Sequence, residues 1–313
     1  VLTLLLRLYL PLVGIVALGA LAAKTLPTRV LRYVGPEPLG RFLYRIGIPI
    51  SLIGFLHRTE LPTVAWILFP IVCGAIALGW GLAWSWLYFR RKPLSWSRER
   101  LGSFQLAAAM GNTGYIGYPV CLAVAGSNYF GWAILYDLIA TLLGNYGFGV
   151  WLANRHGRGQ HLNQRQLLGQ VLQTPVLWGF VAGMVLRQIP FPLWLDRSSI
   201  AAAWTVVGIS LLLIGMRLAQ LAGWQLFNQL SPAIAIKLIL LPAAIGWVLQ
   251  QVELDPIVKL TIVLQVGMPS AFSTLILAEE YSLDRDASVT AIAASSLLLP
   301  LTLPLWLVAW GQF

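Results

Sequence analysis

Of 313 residues, 58% are hydrophobic and only 10% are charged; this excludes an ordinary water-soluble domain, in which about a quarter of positions carry charge. A net charge of +10 admits nucleic-acid binding, but the basic residues cluster in short stretches between apolar runs, the pattern of cytoplasmic loops, so no nucleic-acid partner is expected. Cys73 and Cys121 both lie in apolar runs and His57, His156 and His161 have no zinc-ligand spacing, so neither a disulfide framework, a metal nor a resident cofactor is expected.

Ten apolar runs of about the length that spans a bilayer follow one another at 3–23, 39–56, 64–89, 101–124, 129–153, 167–186, 198–219, 227–250, 256–281 and 286–310. The first, which contains Arg7, has the look of a signal peptide, but further spans follow it and no polar cleavage region does; it is read as a helix. The odd-numbered loops carry fifteen Lys and Arg and the even-numbered loops four. That asymmetry puts the odd loops in the cytoplasm and both termini on the non-cytoplasmic side of the plasma (inner) membrane. Trp84, Trp86, Trp151 and Trp310 near span ends fit an interfacial aromatic belt. The fold class expected is an all-α polytopic membrane protein with ten transmembrane helices, whose first environment is the lipid bilayer.

The chain also echoes itself. IGIPISLIGF (46–55) and VGISLLLIGM (207–216) share five of ten residues at an offset of 161, and LYLPLVGIVALG (8–19) echoes LQTPVLWGFVAG (172–183). Span 1 then matches span 6 and span 2 matches span 7. Five spans per repeat is an odd number, so the second copy is inverted in the membrane, as in many secondary transporters. The organisation expected is a first five-helix repeat over 1–153, a cytoplasmic loop over 154–166 and a second, inverted repeat over 167–313.

Span 4 contains AAAMGNTGYIGYPV (107–120) and span 9, its counterpart, contains VLQVGMPSAFSTL (263–275). Gly and Pro break both helices near the middle. Unwound backbone at membrane depth is tolerated only where protein or a water-filled cavity satisfies it, and matched breaks in two halves point to a binding site. Second half-helices are expected to begin near Tyr115 and Ala271, with N-termini of partial positive charge that suit an anion. The first halves end near Gly111 and Gly267, and their carbonyl ends suit a cation. The candidate substrate-binding residues are Asn112, Thr113, Gly114, Tyr115 and Pro119 in the first break and Met268, Pro269, Ser270, Ala271 and Ser273 in the second. The alternative is that the breaks only let helices pack closely. Ser51, beside the bend at Pro49, joins the substrate set, with a bond to its own helix backbone as the alternative.

Asp137 in span 5 and Lys237 in span 8 are ionisable groups at membrane depth, each costing roughly 2.5–3.5 kcal/mol on insertion scales. Together with Gln265 they are the candidates for ion or proton coupling; a static Asp137–Lys237 pair that fixes packing is the alternative. Glu279, Glu280, Asp284 and Asp286 read as a solvated loop cluster. No catalytic constellation stands out, and the chain is not expected to be an enzyme.

GNTGYIGYPV, with Asn112-Thr113 followed by Gly117-x-Pro119, resembles the fourth-span crossover of the auxin efflux carrier family. GMPSAFSTLILAEEYSLD (267–284) resembles its ninth-span region, and LPLTLPL (299–305) its last span. The resemblance covers nearly the whole chain. It implies ten helices in two inverted repeats, a fold shared with sodium/bile-acid symporters. Helices 1, 2, 6 and 7 would form a scaffold that often dimerises, and helices 3–5 and 8–10 a transport domain moving as an elevator. It implies Asn112 and the crossover prolines at the substrate site, and a bacterial-type permease, since the loop between spans 5 and 6 is short. Ser273 stands where some relatives have asparagine. The expected function is secondary transport of a small organic anion, a carboxylate or auxin-like acid, with a proton or sodium ion as coupling ion. The alternatives are a sodium-coupled symporter of larger organic anions and a non-transporting membrane sensor or scaffold.

Overall fold

The protein, seen in a computed structural model, is described over residues 2–58, 65–90, 96–126, 128–157, 169, 172–173, 175–219 and 226–311. The elements among them are helical. In order they are α1 (Leu2–Thr25), α2 (Thr28–Val34), α3 (Pro36–Phe42), α4 (Ile48–Arg58), α5 (Leu68–Phe89), α6 (Arg98–Ala109), α7 (Gly117–Ala125) and α8 (Phe130–His156). There follow α9 (Pro175–Leu186), α10 (Leu193–Ala219), α11 (Phe227–Gln250), α12 (Pro256–Val266), α13 (Ser273–Glu280) and α14 (Arg285–Trp310).

The sequence explains several of the helix starts. Ser97 caps α6, its hydroxyl accepting from the Arg100 N–H at 3.2 Å. Asp255 caps α12 by accepting from the Ile257 N–H at 2.8 Å, with Pro256 as first helical residue, a place where the missing N–H costs nothing. Asp284 caps α14, accepting from the Ala287 N–H at 3.0 Å. It also takes the Arg100 guanidinium at 2.7 Å, and Arg100 reaches on to Gln229 at 3.1 Å. Asp284 is therefore not part of a solvated acidic cluster as the sequence suggests; it ties α14 to α6 and α11. Glu279 does stay exposed, in an ion pair with Arg285.

Three segments wind more widely than an α-helix: Leu43–Gly47 between α3 and α4, Ala140–Gly149 inside α8 and Ile236–Leu240 inside α11. Such π segments displace side chains from their regular positions and recur at functional sites. The segment in α8 holds Gly144, Gly147 and Gly149 together with Asn145; the one in α11 holds Lys237.

Among the described residues, five helices (α5, α8, α10, α11 and α14) are long and apolar enough to cross a membrane, and a bent pair over Thr28–Phe42 and Arg45–His57 raises the number to six. Spans 4 and 9 of the sequence reading are each divided in two. Their half-helices run 12, 9, 11 and 8 residues, and at 1.5 Å per residue none reaches across about 30 Å of hydrocarbon. Large apolar side chains face outward, Trp194 and Leu301 each at 69% exposure, as lipid-facing surface requires.

Two packing groups emerge. In one, α1 lies along α10, and α4 lies against both α9 and α10. The backbones of α1 and α10 touch: Gly215 faces the Val16 carbonyl so closely that a Cβ there would overlap it, the small-residue contact that membrane helices use. In the other, α5 and α14 pack on α6, and α8 and α11 pack on α12. Phe55 of α4 meets Phe130 of α8 edge to face, with ring centroids 4.8 Å apart, joining the two groups.

Candidate functional site

The two breaks cross and are hydrogen-bonded to each other. The Asn112 N–H donates to the Pro269 carbonyl at 2.7 Å and the Ala271 N–H to the Met110 carbonyl at 3.1 Å, forming an isolated antiparallel bridge between Gly111 and Ser270. Each break thus satisfies backbone groups the other leaves open, which is how non-helical chain survives at this depth. Ser270, fully buried, clamps the crossing. Its hydroxyl donates to the Ala107 carbonyl at 2.8 Å and its N–H to the Ser295 hydroxyl at 3.0 Å.

Asn112 organises the first break. Its side-chain oxygen accepts from the Tyr115 N–H at 3.2 Å and its carbonyl from the Gly117 N–H at 3.1 Å. These bonds hold residues 113–116 in a turn, so α7 starts at Gly117, two residues later than the sequence suggests. Likewise Ala271 is held in the bridge and α13 starts at Ser273. The Asn112 Nδ2 group is buried and, among the described residues, has no hydrogen-bond partner. Pro119 is the third residue of α7 and Met268 is fully buried.

Asp137, 6% exposed, faces the same turn. Thr113 donates its hydroxyl to Oδ1 and Tyr118 donates to Oδ2 at 2.8 Å. Gly114 lies alongside; a Cβ there would be 3.4 Å from Oδ2. Lys237, 2% exposed, donates from Nζ to the Val266 carbonyl, the last of α12, at 2.6 Å. The direct Asp137–Lys237 pair, raised from sequence as an alternative, is therefore not formed: the carboxylate is engaged by two hydroxyls and the ammonium by a helix end.

The structure gives three further candidates these partners. The Ser51 hydroxyl donates to the Ile48 carbonyl at 2.8 Å within its own helix. Gln265 donates to the Ala133 carbonyl at 3.0 Å, with its Oε1 buried beside Gly117 and unpartnered among the described residues. Ser273 donates to Asn145 Oδ1 at 2.8 Å. Sequence reasoning missed Tyr118, Ser295 and Arg217. The last lies near the end of α10 with its guanidinium 4.5 Å above the Phe272 ring, and Phe272 in turn meets Tyr115 edge to face at 6.4 Å. Ser295 had a weak signal: it follows Asp137 by 158 residues and Ser270 follows Thr113 by 157, offsets that differ by one residue.

A cavity of ≈ 20 Å³ lies against the crossing, lined by Gly111, Thr113, Tyr136, Asn145 and Lys237 among others. It has room for about one water, and none for an organic anion.

A helical chain with two polar, mutually bonded breaks fits a membrane transporter, and the family comparison agrees. The membrane transport protein family, the auxin efflux carrier-like transporters, matches residues 5–307. The chain belongs to that family. Two relatives of this membrane transport protein are both named as uncharacterized transporters. One, from Methanothermobacter thermautotrophicus, is 29% identical over 296 residues, covering 90% of this chain and 92% of the relative. The other, from Methanocaldococcus jannaschii, is 27% identical over 223 residues, 68% of each chain. Membership supports membrane transport rather than catalysis, and it makes this an integral membrane protein.

Proposed function

We propose that this membrane transport protein is a secondary carrier of a small organic anion, a carboxylate or auxin-like acid, that works by alternating access at the helix crossing. The observation that carries the reading is the bridge at Gly111 and Ser270 with the Asn112 amide buried beside it and lacking an acceptor. A buried donor left unpaired costs about 1–3 kcal/mol, and a substrate carboxylate would relieve it. The N-terminal ends of α7 and α13 add partial positive charge, and Arg217 adds a full one on the facing helix.

The cavity at the crossing is too small for such an anion, so access requires one packing group to move against the other. The group of α1, α4, α9 and α10 would be the scaffold, with a homodimer through it; the group that holds the crossing would move as an elevator. Two inverted five-helix repeats, divided as 1–153 and 167–313, are supported by contacts that recur when the halves are exchanged. Span 1 on span 7 mirrors span 6 on span 2, and α5 on α6 mirrors α11 on α12. The charge asymmetry of the loops supports termini on the non-cytoplasmic side of the plasma membrane.

Asp137 suits a coupling proton. As a carboxylate it accepts from both Thr113 and Tyr118. Once protonated, the carboxyl loses its charge and gains an O–H donor, which weakens the bonds it accepts from Thr113 and Tyr118, one of which reaches into the crossing itself. Uptake into liposomes of mono-, di- and indole-type carboxylates, under imposed proton and sodium gradients, tests the reading. Flux of one class and its loss in Asn112→Ala, with folded protein retained, are expected. Ligand binding without flux would identify a sensor instead.

A further inference from the structure

The α6 and α12 half-helices both end at the crossing, and a helix C-terminus carries about half a negative charge. In transporters built from broken helices such carbonyl ends hold the coupling cation. Here a side chain already holds one of them. We propose that the Lys237 ammonium is a tethered cation at the carbonyl ends of the broken helices, standing where a free coupling cation would bind, so that this carrier needs no sodium ion.

Four observations place it there. Nζ donates to Val266, the last residue of α12, at 2.6 Å. The same group lies at the end of the other broken helix, since a Cβ on Gly111 would be 2.9 Å from Nζ and 3.0 Å from Cε. Lys237 sits in the π turn Ile236–Leu240, which turns it out of the regular helical position. Finally, among the described residues the Val266 carbonyl is its one hydrogen-bond acceptor and no carboxylate pairs with it. A lysine that served packing alone would be expected to meet an acid at this depth, given the cost of an unpaired charge there; this one meets a helix end.

Among the described residues, the first half carries no lysine at the matching position. Lys237 precedes Val266 by 29 residues, and the residue at that distance before Ala109, the end of α6, is Trp80. Its indole N–H goes to Gln105 at 2.6 Å, and its neighbour Gly79 lies flush against Ala108 and Ala109. The charge is thus built into one side of the crossing only, so one cation is replaced. The ≈ 20 Å³ cavity that Lys237 lines is of the size an ion or water would take if the tether were cut.

The consequence for coupling rests on the transport reading above, but the test reads protein stability and not flux, so its failure would leave anion transport standing. The purified full-length protein is melted, with its tryptophan fluorescence as readout, in sodium, potassium and choline chloride at equal ionic strength. The wild type is expected to melt at one temperature in all three. Lys237→Met and Lys237→Ala, purified in sodium chloride, are expected to lose roughly 5 °C or more in choline and to regain part of it in sodium or methylammonium chloride. A sodium-specific rise in the wild type would mean a separate cation site and overturn the proposal. So would variants that respond to no added cation, whether they melt like the wild type or lower, because the ammonium would then be structural only. If neither variant can be purified, the wild-type comparison decides.

Discussion

Asp137 carries the most consequential side chain in the crossing, because both of its oxygens are committed to hydroxyls on the broken fourth span. Hydrogen bonds to a charged group contribute about 1.5–3 kcal/mol each. Tyr118→Phe is expected to lower stability by about 2 kcal/mol in thermal unfolding of the purified protein, and to cost much less in an Asp137→Asn background. Equal costs in both backgrounds would mean that the tyrosine packs and does not bond. At this scale the sequence disclosed which residues matter better than what they touch. Asp137 and Lys237 stood out because ionisable groups are rare at membrane depth, and their placement inside helices gave no partner. Tyr118 lay within the quoted motif, yet nothing in its spacing tells that its hydroxyl turns toward span 5. Arg217 looked like an ordinary loop-end cation, and only the folded chain brings it over Phe272.

At the scale of elements, Gly and Pro made both breaks legible, since they are the strongest local punctuation of a helix. The exact starts of α7 and α13 were not, because they depend on the Asn112 turn and on bonds between segments 157 residues or so apart. The π segments were also hidden; no residue pattern marks them, and the glycines of 140–149 look like packing positions. The helix caps were readable in type but not in reach. Asp284 caps α14 and binds Arg100, which itself bonds Gln229, so three elements meet at one carboxylate. Loss of the cap alone costs about 1 kcal/mol, and the partly exposed ion pair adds about 1 kcal/mol at most. Asp284→Ala is expected to lower stability by about 1–2 kcal/mol in denaturant or thermal unfolding, and Asp286→Ala, at the second residue of α14, to cost less, about 0.5 kcal/mol from the lost dipole interaction.

For the molecule as a whole, the division into two packing groups sets what would slide in the proposed elevator. Phe55 and Phe130 lie on opposite sides of that boundary with ring centroids 4.8 Å apart, whereas Phe55 and Trp204 belong to the same group at 5.9 Å. In a chain freed of Cys73 and Cys121, a short thiol cross-link between cysteines at 55 and 130 is expected to stop flux in liposomes. A link between 55 and 204 is expected to leave it within about twofold of the unlinked protein. Transport that survives the first link would exclude an elevator across this boundary. The all-helical, membrane-embedded character was visible in advance through hydropathy, because the bilayer itself demands long apolar helices.

The bridge between Met110–Asn112 and Pro269–Ala271 has one more bearing. Because the two interrupted spans are stitched together by their own main chains, neither can lean without dragging the other along. The two breaks then form a single rigid knot, and parting them would mean tearing two backbone hydrogen bonds at once.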